Sequence, residues 1–131
     1  MTARTLQIRS EHQLPQARRL VMETMKQMGF KMIDCTRFVT AASEIARNTL
    51  IHGGGGEMKI STIRENGRTG LQLLFRDQGP GIPEVEQALR PGYTTGKGMG
   101  KGLSGAKNLS HRFSISCPPG EGCNVTLVRW K

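Results

Sequence analysis

Aromatic residues are scarce in this 131-residue sequence, where four Phe, one Trp and one Tyr make up 5% of the chain. So few rings, mostly at positions suited to a core, provide no platform on which the bases of a single-stranded nucleic acid could stack. Signatures of helix-turn-helix and zinc-finger motifs are also lacking. The formal net charge of +9 favours anionic partners, but we expect a solvated basic surface and no nucleic-acid partner.

Cysteines and long apolar segments are also few. The three cysteines, Cys35, Cys117 and Cys123, lack the close spacing of metal ligands, and an odd number argues against a disulfide framework. We therefore expect free thiols. No apolar run approaches the roughly 18 residues that span a bilayer, and residues 1–4 lead into an alternating segment, not a signal core. The expectation is one cytoplasmic domain over residues 1–131, without a membrane partner.

Apolar spacing predicts the helices and strands. Period-two alternation predicts a first strand over residues 5–9, and segments of strand type beside turn residues predict four more, over residues 58–64, 71–76, 112–117 and 124–130. Spacings of three and four predict four helices, over residues 15–29, 34–51, 83–89 and 102–111. We expect Asp34 to be the N-cap of the second helix and Asn66-Gly67 to form a hairpin turn. This order predicts an α+β two-layer sandwich with a mixed, mostly antiparallel sheet covered on one face by helices.

Glu44 and Asn48 are four residues apart in the second predicted helix, so their side chains project from one face. A carboxylate in this position can orient and deprotonate a nucleophile, while an amide oxygen one turn away can bind a hard cation such as Mg²⁺. By itself, the spacing is explained more simply by a charged, solvated helix surface. The functional interpretation requires a phosphate group nearby.

Asp77 opens the segment Asp77-Gln78-Gly79-Pro80-Gly81-Ile82, directly after a predicted strand. An acidic residue at a strand end can accept a hydrogen bond from an exocyclic amine, and the glycines that follow allow the backbone to approach a flat ring. A tight turn in which the aspartate caps its own backbone is the alternative explanation.

Glycines recur at alternate positions in the segment that leads into the last predicted helix, Gly96-Lys97-Gly98-Met99-Gly100-Lys101-Gly102-Leu103. This spacing frees backbone N–H groups to face an anion, and a helix N-terminus adds favourable partial charge. The two lysines would add countercharge to a bound polyphosphate. The pattern does not match a P-loop or the dinucleotide-binding fingerprint, and a flexible glycine-rich linker is the alternative.

Taken together, the three segments resemble the N, G1 and G2 boxes of the GHKL superfamily of ATPases and kinases, over residues 44–48, 77–82 and 98–103. The chain is most similar to the anti-sigma-factor type serine kinases, and among these to the RsbT-like switch kinases of the bacterial stressosome. The compact length, the short lid, the Ala46-Arg47-Asn48 form of the N box and the closing residues 128–131 carry this resemblance. It implies the Bergerat fold.

The resemblance also implies a role for each matched residue. Asp77 would bind the adenine amino group, Asn48 would hold Mg²⁺ against the ATP phosphates, and Glu44 would act as general base. The glycine-rich segment would wrap the phosphates. The implied nucleotide-binding positions are Asn48, Asp77, Gly79, Gly81, Ile82, Lys97, Gly98, Met99, Gly100, Lys101, Gly102 and Leu103.

The activity that the resemblance implies is phosphorylation, from Mg-ATP, of serines or threonines on STAS-domain scaffold proteins. Phosphorylation would release the kinase, which would then activate a PP2C-type phosphatase. An ATP-controlled sequestering module, such as an anti-sigma factor, is the main alternative. A histidine kinase domain is disfavoured because the sequence carries no dimerisation helix with a phosphoacceptor histidine. Whether the domain acts as a monomer or a homodimer stays open.

Three features depart from the family pattern or invite other interpretations. The late Gly-x-Gly-Thr segment of the superfamily is matched here by residues 120–123, in which Cys123 replaces the threonine that commonly supports adenine binding. The run Gly53 to Gly56 is interpreted as a device that shapes a turn. His52 is interpreted as a helix-end residue and not as a catalytic one.

Overall fold

The computed structural model of the protein describes residues 3–77, 99–118 and 120–131. These ranges contain eight elements: β1 (Ala3–Ile8), α1 (Gln13–Met28), α2 (Met32–Ile51), β2 (Gly56–Glu65), β3 (Arg68–Asp77), α3 (Met99–Asn108), β4 (Arg112–Ser116) and β5 (Asn124–Trp130). The helix predicted over residues 83–89 lies outside the described residues. So do the predicted site residues Gly79, Gly81, Ile82, Lys97 and Gly98.

The five strands form one sheet in the order β1-β2-β3-β5-β4, and every pairing between them is antiparallel. The predicted α+β sandwich is therefore confirmed, although the sheet is antiparallel throughout its described part and not mixed. The β2–β3 hairpin turns at Asn66 and Gly67, whose φ angles of 52° and 77° are the positive values that the sequence predicts.

The helices cover one face of the sheet, with α2 packed between α1 and α3. On α1, Ala17, Val21 and Met25 are fully buried, and the helix ends at Gly29 in the left-handed conformation. Inward-facing strand residues meet this layer and form the core, including Ile8, Met58, Leu71, Leu73, Phe75 and Leu127. None of the helices in the described ranges combines the length and apolar character needed to cross a bilayer.

Two local predictions are wrong. Asp34 lies in the first turn of α2 and is not its N-cap: Lys31 occupies that position without a side-chain cap, and Asp34 Oδ1 accepts a hydrogen bond from Arg129 Nη2 at 2.8 Å. Helix α3 begins at Met99, three residues before the predicted start.

The expectation of three free thiols is wrong for two of them. Cys117 and Cys123 form a disulfide across the turn between β4 and β5, while Cys35 is free and buried in the core. The two partners are only six residues apart, and they are brought together because β4 and β5 form a hairpin.

Candidate active site

A cleft opens between the second half of α2, the Leu103 side of α3 and the ends of β3, β4 and β5. Its apolar wall comes from Ile45, Leu103, Ile115 and Val125. Its polar side chains come mainly from α2 and from the end of β3. The residues on that side are Asn48, Thr49, His52, Gly53, Asp77 and Cys123.

Helix α2 contributes one continuous face to the cleft. Ile45, Asn48, Thr49 and His52 all line it, and spacings of three, four and seven residues place them on one side of a helix. The Thr49 hydroxyl donates to the Ile45 carbonyl at 2.9 Å, which satisfies this buried polar group within the helix. The α2 face therefore offers an apolar side chain and an amide to whatever binds.

Asn48 is the predicted residue with the clearest need for a ligand. Its backbone carbonyl accepts hydrogen bonds from the N–H groups of His52 and Gly53, at 2.9 and 3.1 Å. Its buried Nδ2 has no hydrogen-bond partner among the described residues. An unpaired buried amide is costly, so a ligand with acceptor oxygens fits this position.

Asp77, the last residue of β3, is held by the backbone of Cys123. The Asp77 N–H donates to the Cys123 carbonyl at 3.0 Å, and Asp77 Oδ1 accepts from the Cys123 N–H at 3.1 Å. The first of these bonds continues the β3–β5 ladder by one position beyond Arg76 and Asn124, and in the second the Asp77 side chain accepts from the facing backbone N–H. An ionised carboxylate only accepts hydrogen bonds, so its place in the cleft suits an amino group.

Gly53 brings the end of α2 directly against Asp77. A Cβ at Gly53 would lie 2.3 Å from Asp77 Cγ, closer than real Cβ contacts allow. The next two glycines have a different role, because Gly54 and Gly55 have positive φ angles of 74° and 104° that favour glycine. The run thus shapes a turn, as predicted, and in addition allows a close approach at its first residue.

Of the remaining predicted site residues in α2 and α3, the structure describes the side chains of Glu44 and Leu103. Leu103 on α3 lines the cleft and is 2% exposed. Glu44 is half-buried one turn before Asn48 on α2, but it does not line the cleft formed by the described residues. The side chains at positions 99–102 lie outside the described part of the chain, so their phosphate-binding roles stay predictions.

Sequence reasoning missed most of the apolar wall. Ile45 and Thr49 were available from helical spacing alone, since Ile45 lies three residues before Asn48 and four before Thr49 on one face. Ile115 and Val125 come from two paired positions of the β4–β5 hairpin, and alternation marks them only as inward-facing residues. Which inward residues reach the cleft depends on the tertiary packing.

Comparison with known proteins identifies the family of the chain. Residues 33–131 match the family described as histidine kinase-, DNA gyrase B-, and HSP90-like ATPase. The serine/threonine-protein kinase RsbT of Bacillus subtilis (strain 168) is 36% identical over 125 residues, covering 95% of this chain and 94% of its own length. An anti-sigma F factor of Bacillus licheniformis is 32% identical over 120 residues, covering 86% and 81%.

Solved structures support the same fold. The RsbU and RsbW domains of a Mycobacterium tuberculosis protein superpose with a TM-score of 0.65 at 16% identity, covering 100% of this chain and 33% of that one. The mycobacterial sensor histidine kinase MprB superposes with a TM-score of 0.56 at 15% identity, covering 98% and 97%.

The chain therefore belongs to the family of histidine kinase-, DNA gyrase B- and HSP90-like ATPases. Its identity to RsbT over nearly the whole length of both chains places it, within that family, with ATP-dependent serine/threonine-protein kinases. The predicted superfamily, fold and class of enzyme are confirmed.

Proposed function

We propose that this protein is a cytoplasmic serine/threonine kinase that uses Mg-ATP to phosphorylate STAS-domain partners in a partner-switching stress pathway. Once released, it would activate a PP2C-type phosphatase. The observation that carries the proposal is that Asn48 and Asp77, from two distant parts of the chain, line one cleft in which the buried Asn48 Nδ2 has no hydrogen-bond partner within the described ranges. The identity to RsbT, a serine/threonine-protein kinase, supports the type of reaction.

The residues of the cleft fit a purine nucleotide. Asp77 would accept a hydrogen bond from the adenine amino group, and Ile45, Ile115 and Val125 would contact the faces of the ring. Asn48 would face the phosphates, where its amide oxygen can bind Mg²⁺ and its buried Nδ2 can donate to an oxygen. When bound, Mg²⁺ supplies positive charge that offsets the charge of the phosphates.

Glu44 is proposed to take the proton of the incoming serine or threonine hydroxyl. The hydroxyl oxygen forms a bond to the γ-phosphorus, the bond to the bridging oxygen breaks, and ADP leaves. Positioning and charge stabilisation supply most of the rate in such transfers, while a positioned base typically contributes about 10²- to 10⁴-fold. The position of Glu44 one turn before Asn48 supports this assignment.

The proposal is tested by transfer of labelled γ-phosphate from Mg-ATP to a purified STAS-domain protein from the same organism. The parent protein should label serine or threonine. Glu44→Gln should still bind nucleotide but transfer about 100-fold more slowly or worse, and Asp77→Asn should lose binding and transfer together. Glu23→Gln, which neutralises an exposed carboxylate on α1, is the control and should retain full activity.

A nucleotide-controlled sequestering module is the second candidate. It is favoured by the 32% identity to anti-sigma F factors, one of which covers 86% of this chain. This alternative predicts tight, nucleotide-dependent capture of a partner that carries no label afterwards. Asp77-dependent nucleotide binding without labelling of any STAS-domain protein would favour it over the kinase proposal.

A further inference from the structure

The Cys117–Cys123 disulfide adjoins the cleft, and the proposed activity makes no use of it. Cys117 directly follows β4, Cys123 directly precedes β5, and their Cα atoms are 4.2 Å apart. Cys117 is 4% exposed, whereas Cys123 is half-buried and lines the cleft. The Cys117 end of the bond is therefore buried, and the Cys123 end lines the candidate nucleotide site.

Cys123 connects this disulfide to Asp77 through two backbone hydrogen bonds. Its carbonyl accepts the Asp77 N–H at 3.0 Å, and its own N–H donates to Asp77 Oδ1 at 3.1 Å. On the opposite side, Gly53 at the end of α2 lies so close to the carboxylate that a Cβ there would be 2.3 Å from Asp77 Cγ. The Cys123 backbone therefore contributes two of the hydrogen bonds that hold Asp77 in position.

The disulfide adds a covalent constraint to the turn between the two cysteines, in which the Glu121 N–H also donates to the Pro118 carbonyl at 3.0 Å. Gly120 and Gly122 both have positive φ angles, of 79° and 77°, and glycine gains more conformational freedom than any other residue when such a turn is released. A disulfide that closes a short loop removes much of that freedom. With the bond open, the Cys123 backbone would make its two hydrogen bonds to Asp77 for a smaller fraction of the time.

We infer that Cys117 and Cys123 form a reversible thiol–disulfide site whose oxidised state raises the nucleotide affinity of the cleft by holding Asp77 in place. This inference rests on the nucleotide binding proposed above. Its partner in the chemistry is a small-molecule disulfide, for which glutathione disulfide is the probe. The direction follows from preorganisation, because a carboxylate already held in its binding position loses less entropy when the ligand binds.

The oxidation proceeds by two thiol–disulfide exchanges. The more exposed Cys123 thiolate attacks one sulfur of glutathione disulfide, forms a mixed disulfide and expels one glutathione thiolate. The Cys117 thiolate then attacks the Cys123 sulfur, closes the protein disulfide and expels the second glutathione. Two electrons pass to the oxidant, and the two protons of the protein thiols end on the two glutathione molecules.

The test compares the full-length protein equilibrated with glutathione disulfide and with excess dithiothreitol. In each state, disulfide content is mapped by peptide mass spectrometry, and the affinity for a non-hydrolysable ATP analogue with Mg²⁺ is measured by calorimetry. We expect a Cys117–Cys123 peptide only after oxidation. The reduced protein should bind about three- to tenfold more weakly, the range that one hydrogen bond is worth.

Two variants make the test specific. Cys117→Ser should bind as the reduced protein does under both conditions. Cys35→Ser should keep the full response, because Cys35 is buried in the core, away from the cleft, where burial raises the pKa of its thiol and so lowers its reactivity. If Cys117→Ser fails to fold, chemical reduction of the parent protein makes the same comparison.

The outcomes separate this inference from the proposed function. Equal affinities in the two states, with the disulfide mapped in one and absent from the other, would overturn the inference while nucleotide binding stands. Tighter binding by the reduced protein, or no Cys117–Cys123 peptide after oxidation, would overturn it as well. Folded protein that binds no nucleotide in either state would overturn the proposed function, and this inference with it.

Discussion

At the scale of single residues, Gly53 lies so close to Asp77 that it has no room for a side chain. We predict that Gly53→Ala lowers nucleotide affinity about tenfold or more, the equivalent of about 1.4 kcal/mol. The reason is that the added methyl would lie 2.3 Å from Asp77 Cγ and must displace the carboxylate. Calorimetric titration with an ATP analogue measures the change.

The matched control is Gly105→Ala on α3, where an added Cβ meets nothing within 4 Å. This change should leave affinity unaltered and stabilise the helix by up to about 1 kcal/mol. Equal affinity in the Gly53 and Gly105 variants would contradict the role given to Gly53.

Asn48 allows a second prediction, in which stability and binding change in opposite directions. Its Nδ2 is buried without a partner among the described residues, and such a group costs about 1–3 kcal/mol. Asn48→Leu should therefore raise the free energy of unfolding of the ligand-free protein by about 1 kcal/mol and abolish Mg-dependent nucleotide binding. Chemical denaturation and titration of the same samples measure both effects.

Asn108→Leu is the control for that substitution, because Asn108 is exposed at the end of α3. A leucine there buries no apolar surface and should leave nucleotide binding intact. A destabilised Asn48→Leu protein would mean that the amide is satisfied in the ligand-free state, against the site described here.

At the scale of elements, Arg129 connects β5 to the start of α2 and to the residue after the end of α3. The side chain of this β5 residue is 9% exposed and pairs with Asp34 at the start of α2 at 2.8 Å. Its Nη1 also donates to the Leu109 carbonyl, just beyond the end of α3, at 2.8 Å. Removing one partner of such a pair leaves the other charge buried and uncompensated.

We therefore predict that Asp34→Ala lowers the free energy of unfolding by about 3 kcal/mol. This is the low end for a broken buried pair, because the Asp34 side chain is 28% exposed. The control is Glu65→Ala, which removes a pair to Arg112 whose side chains are 49% and 45% exposed. Exposed pairs contribute little, so this variant should unfold close to the parent in urea; equal losses in the two variants would contradict the prediction.

Some local signals predicted the structure correctly, whereas features set by distant contacts were missed. The β2–β3 hairpin follows from Asn66-Gly67 because positive φ angles are a local requirement. Asp34 resembles an N-cap in sequence, but its carboxylate is used by Arg129, 95 residues away. The disulfide was missed for a similar reason, since only the β4–β5 pairing shows that the two cysteines meet.

At the scale of the whole molecule, the candidate site is formed by segments from α2, α3 and the ends of three strands. The sequence identifies some of these segments but does not show that they meet. The motifs predicted Asn48 and Asp77 individually, and the structure places both in one cleft. The apolar wall and the contact with Gly53 arise only when α2 packs on the ends of β3 and β5. The motifs thus identified two residues that line the cleft, whereas the side chains around them could not be predicted.

The stability of the whole molecule should also depend on pH through His111. The backbone N–H of Trp130 donates to His111 Nδ1 at 2.8 Å, so this nitrogen must be unprotonated. Desolvation is the main cause that lowers the pKa of His111 below its ordinary value of 6.5, and the nearby Arg129 and Arg68 cations lower it further, against a smaller opposing effect of Asp34. The folded state therefore binds this proton less readily than the unfolded state.

The sign follows from that difference. Because the unfolded state binds more protons, the stabilising contribution of His111 is complete above about pH 6.5 and is lost as the pH falls through the lower pKa of the folded state. We predict that the free energy of unfolding declines as the pH falls below about 6.5, and that His111→Asn, which keeps an acceptor but does not titrate, flattens the decline. Urea denaturation at each pH measures it. His12→Asn, which removes an exposed histidine beside α1, is the control, and equal flattening by both substitutions would rule out a specific role for His111.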